Sequence, residues 1–132
     1  MLKKFESVNT KQEIRITLTS NYALGFPNKF YTENTISSYK YVVLFYDEES
    51  KEIGIHFSND DDEKHKFKIR HDKNGRGGSV TIKSLLKTLN YSPNEYKGRY
   101  TWEKRNEESI GDLYIITLEK RDTKPELQAD KN

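Results

Sequence analysis

Residues 39–57 read YKYVVLFYDEESKEIGIHF, and this stretch decides the fold. Its first part, residues 39–46, is rich in β-branched and aromatic side chains, which favour a strand. A polar turn over residues 47–51 follows. In residues 52–57 every second side chain is a large apolar one, so a returning strand would carry Ile53, Ile55 and Phe57 on one face. The stretch therefore predicts a β-hairpin.

The residues before this hairpin predict two strands and a helix. Apolar and polar side chains alternate over residues 13–19, which is typical of a half-buried strand. Residues 21–25 predict a turn that leads into a short second strand. Pro27 suits the first turn of a helix, because its missing N–H would be unsatisfied there anyway. A short helix over residues 27–35 is therefore expected.

The second half of the chain repeats this order. Its predicted elements are a strand over 66–70, a Gly-rich turn over 72–78, a strand over 79–82, a helix over 83–90 and strands over 100–104 and 113–118. Both halves therefore follow the pattern β–β–α–β–β. An internal repeat of this kind decides the architecture of the fold.

The repeat predicts a mainly β fold with two short helices, in the α+β class. One repeat of about 50 residues buries too little surface to be stable alone. We therefore expect residues 13–58 and 64–119 to pack as one pseudo-twofold domain spanning 13–119. Residues 1–12 are expected to be flexible, and the polar residues 120–132 to form a disordered tail.

Composition restricts the class of protein. The chain has 132 residues, of which 33% are hydrophobic and 12% aromatic, and the aromatic content argues against intrinsic disorder. The absence of cysteine excludes disulfides and thiolate chemistry. No apolar run reaches the length of a membrane span, and the start lacks the apolar stretch of a signal peptide. These features predict a cytoplasmic protein that does not enter membranes.

The net charge of +2 conceals a strong segregation of charge along the chain. Residues 1–63 have a net charge of −4, residues 64–105 one of +9, and residues 106–132 one of −3. A basic block of this kind attracts polyanions such as nucleic acid. Its charges could equally be cancelled in three dimensions by the acidic segments.

The basic block contains a pattern that predicts phosphate binding. In a strand over 64–70, four cations would project from one face at intervals of about 6.5–7 Å, close to the spacing of phosphates. A Gly-rich turn over residues 73–78 would add further cations. The predicted nucleic-acid-binding residues are Lys64, Lys66, Lys68, Arg70, Lys73, Arg76, Lys83, Lys97, Arg99 and Lys104.

Aromatic side chains near these cations suggest a second mode of binding. Tyr96, Tyr100 and Trp102 lie close in sequence to basic residues and could stack on single-stranded bases. The alternative is that they belong to the core, because tyrosine and tryptophan are also preferred strand and core residues.

The sequence offers no catalytic or metal-binding constellation. His65 and His71 would lie about 20 Å apart along a strand, too far to share a metal ion. The acidic residues 60–63 lack the spacing of an EF-hand. We therefore expect a protein that is not an enzyme and carries no cofactor or metal.

The first half resembles a known family in three short stretches. These are LGFPNKFY at residues 24–31, YVVLFY at 41–46 and IGI at 53–55. An apolar strand that ends in proline, a short helix and a long hairpin together resemble the swapped-hairpin AbrB fold, and two copies in one chain resemble the MraZ arrangement. Asn21 and Tyr22 stand where the family has Gly-Arg, and Lys83 replaces the proline in the second half.

The AbrB-like resemblance implies a regulator of transcription that binds double-stranded DNA near its strand–helix junctions. A different division of the chain, with strands over 39–46, 52–57, 65–71 and 79–82 and the helix over 83–90, resembles the Pur-type and Whirly-type proteins. That resemblance implies binding of single-stranded DNA or RNA. A third hypothesis is a protein-interaction module, in which the acidic residues 58–63 of one copy dock on the basic strand of another to form a homo-oligomer.

Overall fold

The computed structural model describes residues 1–3 and 13–121, which form ten strands, three α-helices and one 3-10 turn. The first half contains β1 (Ile16–Leu18), β2 (Ala23–Phe26), α1 (Asn28–Glu33), the 3-10 turn (Ile36–Ser38), β3 (Tyr41–Asp47) and β4 (Glu52–Ser58). The remainder contains β5 (Phe67–Lys68), β6 (Arg70–His71), β7 (Gly78–Thr81), α2 (Lys83–Leu89), α3 (Pro93–Tyr96), β8 (Gly98–Tyr100), β9 (Glu103–Glu107) and β10 (Gly111–Thr117). The predicted α+β class is confirmed.

The strands form two antiparallel five-stranded sheets. The first sheet has the order β6-β7-β2-β1-β8, and the second has the order β5-β3-β4-β10-β9. Each half of the chain contributes one hairpin to each sheet. The halves meet at the centre of the sheets, where β2 pairs with β7 and β4 with β10, and again where β1 pairs with β8 and β3 with β5. If β1 and β2 are exchanged with β6 and β7, and β3 and β4 with β9 and β10, each sheet keeps its central strand order, read from the opposite end. The topologies of the two halves therefore have a pseudo-twofold relation.

The chain passes directly from one sheet to the other at two corners. At the first corner, Ile69 separates β5 from β6, and its backbone N–H donates to the carbonyl of Lys40 over 2.9 Å. At the second, residues 101–102 separate β8 from β9, and the Trp102 indole N–H donates to the carbonyl of Ile14 over 2.8 Å. These crossings hold the inner faces of the two sheets together.

Helix α1 packs at the centre of the core. Its first residue follows Pro27, whose extended backbone leads the chain out of β2. Phe30 is fully buried, and its ring lies 5.2–6.4 Å from four other rings, those of Phe26, Phe57, Trp102 and Tyr114. The rings come from α1 and from both sheets, so Phe30 joins three layers of the structure.

Tyr31, the next residue of α1, forms a polar clasp with His71. The Tyr31 hydroxyl lies 2.7 Å from His71 Nδ1, and His71 Nε2 lies 2.7 Å from the carbonyl of Tyr39. Since a carbonyl can only accept, Nε2 carries the proton and Nδ1 accepts from Tyr31. Burial is the main cause that raises the pKa of Tyr31, and the charge of Asp72 adds to it. The clasp ties β6 to α1.

The predicted basic strand over 64–70 is wrong. Lys64 and His65 lie in a turn, and His65 has a positive φ of 61°. The two short strands that follow belong to different sheets, because the buried Ile69 forms the corner between them. Corner formation therefore breaks the alternation of side chains on which the row of four cations depended.

Two further predictions differ from the structure in detail. The predicted strand over 100–104 is divided at the second corner into β8 and β9. Two helices were expected, whereas α3 forms a third directly after α2, with Pro93 as its first residue. Of the residues expected to be flexible, 1–12 and 120–132, the stretches 4–12 and 122–132 lie outside the described residues.

Replacing Phe30 should test its place in the core. We expect Phe30→Ala to lower the free energy of unfolding by about 3–5 kcal/mol, since it removes a buried ring and leaves a cavity. Urea denaturation followed by far-UV circular dichroism measures the change. Thr32→Ala, an exposed position on the same helix, serves as the control and should change it by less than about 0.5 kcal/mol. Equal effects of the two substitutions would contradict this account of the core.

Candidate nucleic-acid interface

A single row of paired residues crosses the outer face of the first sheet, with an arginine on each outermost strand. Directly opposed residues in an antiparallel sheet project to the same side. The neighbouring residues Ile16, Leu24 and Val80 point into the core, so this row points outward. The row, called the arginine row below, consists of Arg70, Ser79, Gly25, Thr17 and Arg99.

Small residues form the surface between the two arginines. The two arginines are separated by four strand spacings, about 19 Å. The residues between them are small, and the adjacent pair Ala23 and Thr81 is small as well. A Cβ added to Gly25 would lie 3.8 Å from the nearest atom, Cβ of Thr17, so the backbone is openly accessible there. A rigid polyanion can therefore approach the sheet closely.

Both arginines of the row have local contacts that orient them. Arg70 donates from Nη2 to the hydroxyl of Ser79 over 3.3 Å, which directs its guanidinium across the sheet. Arg99 lies 3.8 Å from the carboxylate of Glu13. Both side chains remain exposed. They are thus positioned and still able to donate to an anion.

Arg15 extends the basic character at the β8 edge. Its guanidinium makes a two-point contact with Glu13, over 2.8 and 3.0 Å, and the same carboxylate faces Arg99. The hydrogen bond from the Arg15 side chain is the main cause that lowers the pKa of Glu13 to about 2. Glu13 therefore stays ionised at neutral pH and offsets part of the charge of two arginines.

A cleft of about 350 Å³ beside this edge contains a third arginine, Arg121. Its guanidinium carbon lies 4.3 Å from the centre of the Tyr100 ring, and Nη2 donates to the carbonyl of Arg99 over 3.1 Å. Gly98, at a φ of 146°, makes room for this packing, because a Cβ there would lie 3.1 Å from Nε. That buried Nε has no hydrogen-bond partner among the described residues. Glu103 and Glu119 also line the cleft.

Only some of the predicted phosphate-binding residues lie at this face. Arg70 and Arg99 belong to the arginine row, and Lys97 directly precedes β8. Lys73 and Arg76 lie in the turn between β6 and β7, which is closed by a hydrogen bond from Asp72 N to Gly77 O. These five residues surround the first sheet.

The other five predicted cations are elsewhere. Lys64 and Lys66 lie in the turn before β5, and Lys68 is on β5 in the second sheet. Lys83 begins α2, with its ammonium 5.5 Å from the centre of the Tyr22 ring. Lys104 is on β9, where its ammonium lies 3.8 Å from the Asp112 carboxylate. The ten cations therefore do not share one surface.

The predicted stacking residues do not present free rings. Tyr96 and Tyr100 are 5% and 4% exposed, so the prediction that they stack on bases is wrong. Trp102 is partly buried and packs edge-on against Phe30 and Tyr114, each with ring centres 5.2 Å away. Tyr96 and Tyr100 instead belong to the buried core, most of whose other members are aliphatic.

Sequence reasoning missed Arg15 and Arg121. Arg15 alternates with Ile14 and Ile16, and this pattern could have placed it on the polar side of β1 with Thr17. Arg15 belongs to a segment with a negative net charge, so a count of charges by segment does not reveal it. Arg121 falls within the predicted tail, and no local pattern indicates that it packs against Tyr100.

The outer face of the second sheet has the opposite character. By register, the charged residues that point outward include Asp47, Glu52, Glu103 and Glu107, against Lys68 and Arg105. The apolar residues Val43, Phe45, Leu113 and Ile115 share this face. Arg105 is itself engaged by Glu52 and Glu103, over 3.5 and 3.3 Å. The segregation of charge in the sequence thus reappears as two differently charged faces, although the residues responsible are partly different.

A second cleft, of about 330 Å³, contains titratable side chains that are hydrogen-bonded to neighbouring backbone and amide groups. His56 Nδ1 lies 2.9 Å from the carbonyl of Asp112, and the Tyr114 hydroxyl donates to the Asn34 side chain over 2.9 Å. Burial raises the pKa of Tyr114. None of these contacts joins a nucleophilic hydroxyl to a histidine or carboxylate base. The geometry therefore supplies no catalytic pair in this cleft.

Within residues 1–3 and 13–121, no cluster of three or more histidine, aspartate or glutamate side chains is arranged to hold a metal ion. In the same part of the chain, no helix has the length and apolarity needed to cross a membrane.

No protein-family model, curated protein or solved structure matches the sequence or the fold. The resemblance to the AbrB and MraZ proteins therefore stays a prediction.

The low pKa of Glu13 predicts how its contribution to stability depends on pH. A carboxylate with a lowered folded-state pKa stabilises the protein above its unfolded pKa and loses this effect as pH falls. The difference in unfolding free energy between the wild type and Glu13→Gln should therefore be constant above about pH 5 and shrink between pH 4.5 and about 2. Urea denaturation at several pH values measures it. A difference that does not vary over this range would show that Arg15 does not hold the carboxylate ionised.

Proposed function

We propose that this chain is a non-enzymatic nucleic-acid-binding protein and that the outer face of its first sheet contacts the phosphates of double-stranded DNA. The observation that carries the proposal is the arginine row, with Arg70 and Arg99 on either side of small residues. Guanidinium groups bind phosphate oxygens in a two-point geometry, which suits them to this role. The exposed backbone at Gly25 would allow close approach.

Duplex DNA is favoured over single strands by the placement of the aromatic residues. Binding to single strands usually depends on free aromatic rings that stack on bases. Tyr96 and Tyr100 are buried and cannot supply such rings, so these two residues no longer support binding to single strands. Phosphate contacts orient a protein on DNA and do not read sequence. We therefore propose binding with weak sequence preference, in a role compatible with transcription regulation.

The position of Glu13 adds a built-in limit on affinity. Its carboxylate competes with phosphate for Arg15 and Arg99, both of which it contacts. A phosphate would have to displace or share these contacts. The Glu13 carboxylate therefore favours moderate binding that is sensitive to salt.

Salt dependence tests the proposal directly. If the face neutralises about four phosphates, the logarithm of the binding constant should fall against the logarithm of salt concentration with a slope of about −3.6. Fluorescence anisotropy with a labelled 20-base-pair duplex and with the matching single strand provides the measurement. Arg70→Ala combined with Arg99→Ala should reduce the slope by about 2.

Lys104→Ala serves as a control that also removes a cation, since Lys104 lies on the second sheet. It should leave the slope unchanged, whereas removal of one phosphate-contacting cation would reduce it by about 0.9. The proposal fails if the duplex does not bind at low salt, or if Lys104→Ala reduces binding as much as the arginine pair does. A clear preference for the single strand would favour the alternative mode.

A larger side chain at Gly25 should weaken DNA binding without destabilising the fold. Gly25→Val places a β-branched side chain at the centre of the arginine row, where it would hold a ligand away from the backbone. Gly25 has ordinary space for a Cβ, and valine favours strands, so the thermal midpoint should not fall. We expect duplex affinity to drop by about tenfold or more, corresponding to loss of a close contact of about 1.4 kcal/mol. Retained affinity in a folded variant would place the binding surface elsewhere.

A further inference from the structure

The lower part of β3 is an edge without a neighbouring strand. β5 pairs only with Tyr41 and Val42, so residues 43–47 are paired on one side only, to β4, among the described residues. The carbonyl of Lys40 points to the β5 side, where it accepts from Ile69. Backbone groups alternate in direction along a strand, so Leu44 and Tyr46 direct their N–H and C=O groups to the open edge.

The side chains at this edge are apolar and accessible. Tyr46 is 51% exposed, the highest value for a large hydrophobic residue in residues 13–121. An open groove of about 510 Å³ runs between β3 and α2, with Leu44, Tyr46, Phe67 and Leu85 among its lining residues. The groove offers space for a further strand with apolar side chains.

The pseudo-twofold equivalent of this edge is built differently. β9 occupies the corresponding position at the other end of the second sheet and reads EKRNE over Glu103–Glu107. Charged side chains on an edge strand oppose the addition of another strand. The β3 edge reads VLFYD over residues 43–47 and has a single charge, at its end. Only one of the two related edges therefore lacks this protection.

We propose that the β3 edge pairs with the same edge of a second copy of this chain, to form a dimer with twofold symmetry. With the axis at Phe45, Leu44 lies opposite Tyr46 of the partner subunit, and the relation is reciprocal. These are the two residues whose backbone groups face the edge, so this register satisfies them in pairs. The second sheet then continues across the dimer as ten strands.

Charge complementarity supports this occupant over an unrelated peptide. In this register, the acidic turn after β3, with Asp47, Glu48 and Glu49, reaches the partner where the partner's own β5 begins. The residues that line the groove there are His65 and Lys66, and Lys64 is next to them. The acidic turn of one copy thus approaches Lys64 and His65 of the other, and the contact occurs twice. Lys66 is hydrogen-bonded to the carbonyls of Asp61 and Glu63, and the acidic residues 60–63 precede these cations in the same segment.

The inference also accounts for Lys64 and Lys66, which lie apart from the arginine row. It does not depend on the proposed binding of DNA, because it uses the second sheet and the row belongs to the first. The arginine rows of both subunits remain on the outer faces of their first sheets.

Sedimentation velocity of the full chain over a concentration series tests the dimer. We expect a concentration-dependent shift from monomer to dimer. Tyr46→Lys puts a charge on the open edge and should raise the dissociation constant by about tenfold or more, since each substitution counts twice in a twofold interface. Asn106→Lys, on the charged β9 edge, is the control and should leave the dissociation constant within about threefold of the wild type.

A charge exchange keeps the test independent of folding. Glu48→Lys and Lys64→Glu, each alone, should weaken the dimer. The two substitutions together in one chain should restore it, because the charges that face each other across the interface would again be opposite in sign. Circular dichroism confirms that each variant is folded. A chain that is monomeric at all concentrations overturns the proposal. So does a dimer that persists unchanged in Tyr46→Lys, or single and combined charge variants that behave alike.

Discussion

The structure depends on the antiparallel pairing of its two halves at the centre of each sheet. β2 pairs with β7 in the first sheet, and β4 pairs with β10 in the second. Neither half could bury its apolar faces alone, because about 50 residues enclose too little volume. Pairing within both sheets at once makes the halves mutually dependent, and the rings around Phe30 then fill the space between the sheets.

This arrangement explains why the outer faces are available for contacts. Helices α1 and α2 follow strands β2 and β7 of the first sheet, and α1 packs into the core through Phe30 and Tyr31. The outer side of the first sheet is therefore left to small polar residues and arginines. The second sheet carries acidic residues outside, together with an apolar edge. The two surfaces can act separately, since they belong to different layers of the molecule.

The sequence predicted most of the elements but not how the strands divide between sheets. The hairpin over residues 39–57 was correct because its alternation and its turn are local features. The strand over 64–70 was wrong because Ile69 lies at a corner between sheets, a role that depends on residues far along the chain, such as Lys40. Because of the same corner, the four cations do not form a row, and Arg70 is the only one of these four that lies on the first sheet.

The sequence by itself determined the β-rich repeat, the order of its elements and the segregation of charge, because alternation, turn residues and charge counts are properties of neighbouring residues. Only the tertiary structure decided which charges share a face. Arg70 and Arg99 are 29 positions apart and Thr17 is farther still, and hydrogen bonding across strands brings them into one row. The tertiary structure also buried Tyr96 and Tyr100, because the elements that cover them in the core come from distant parts of the chain and leave no local pattern in the sequence.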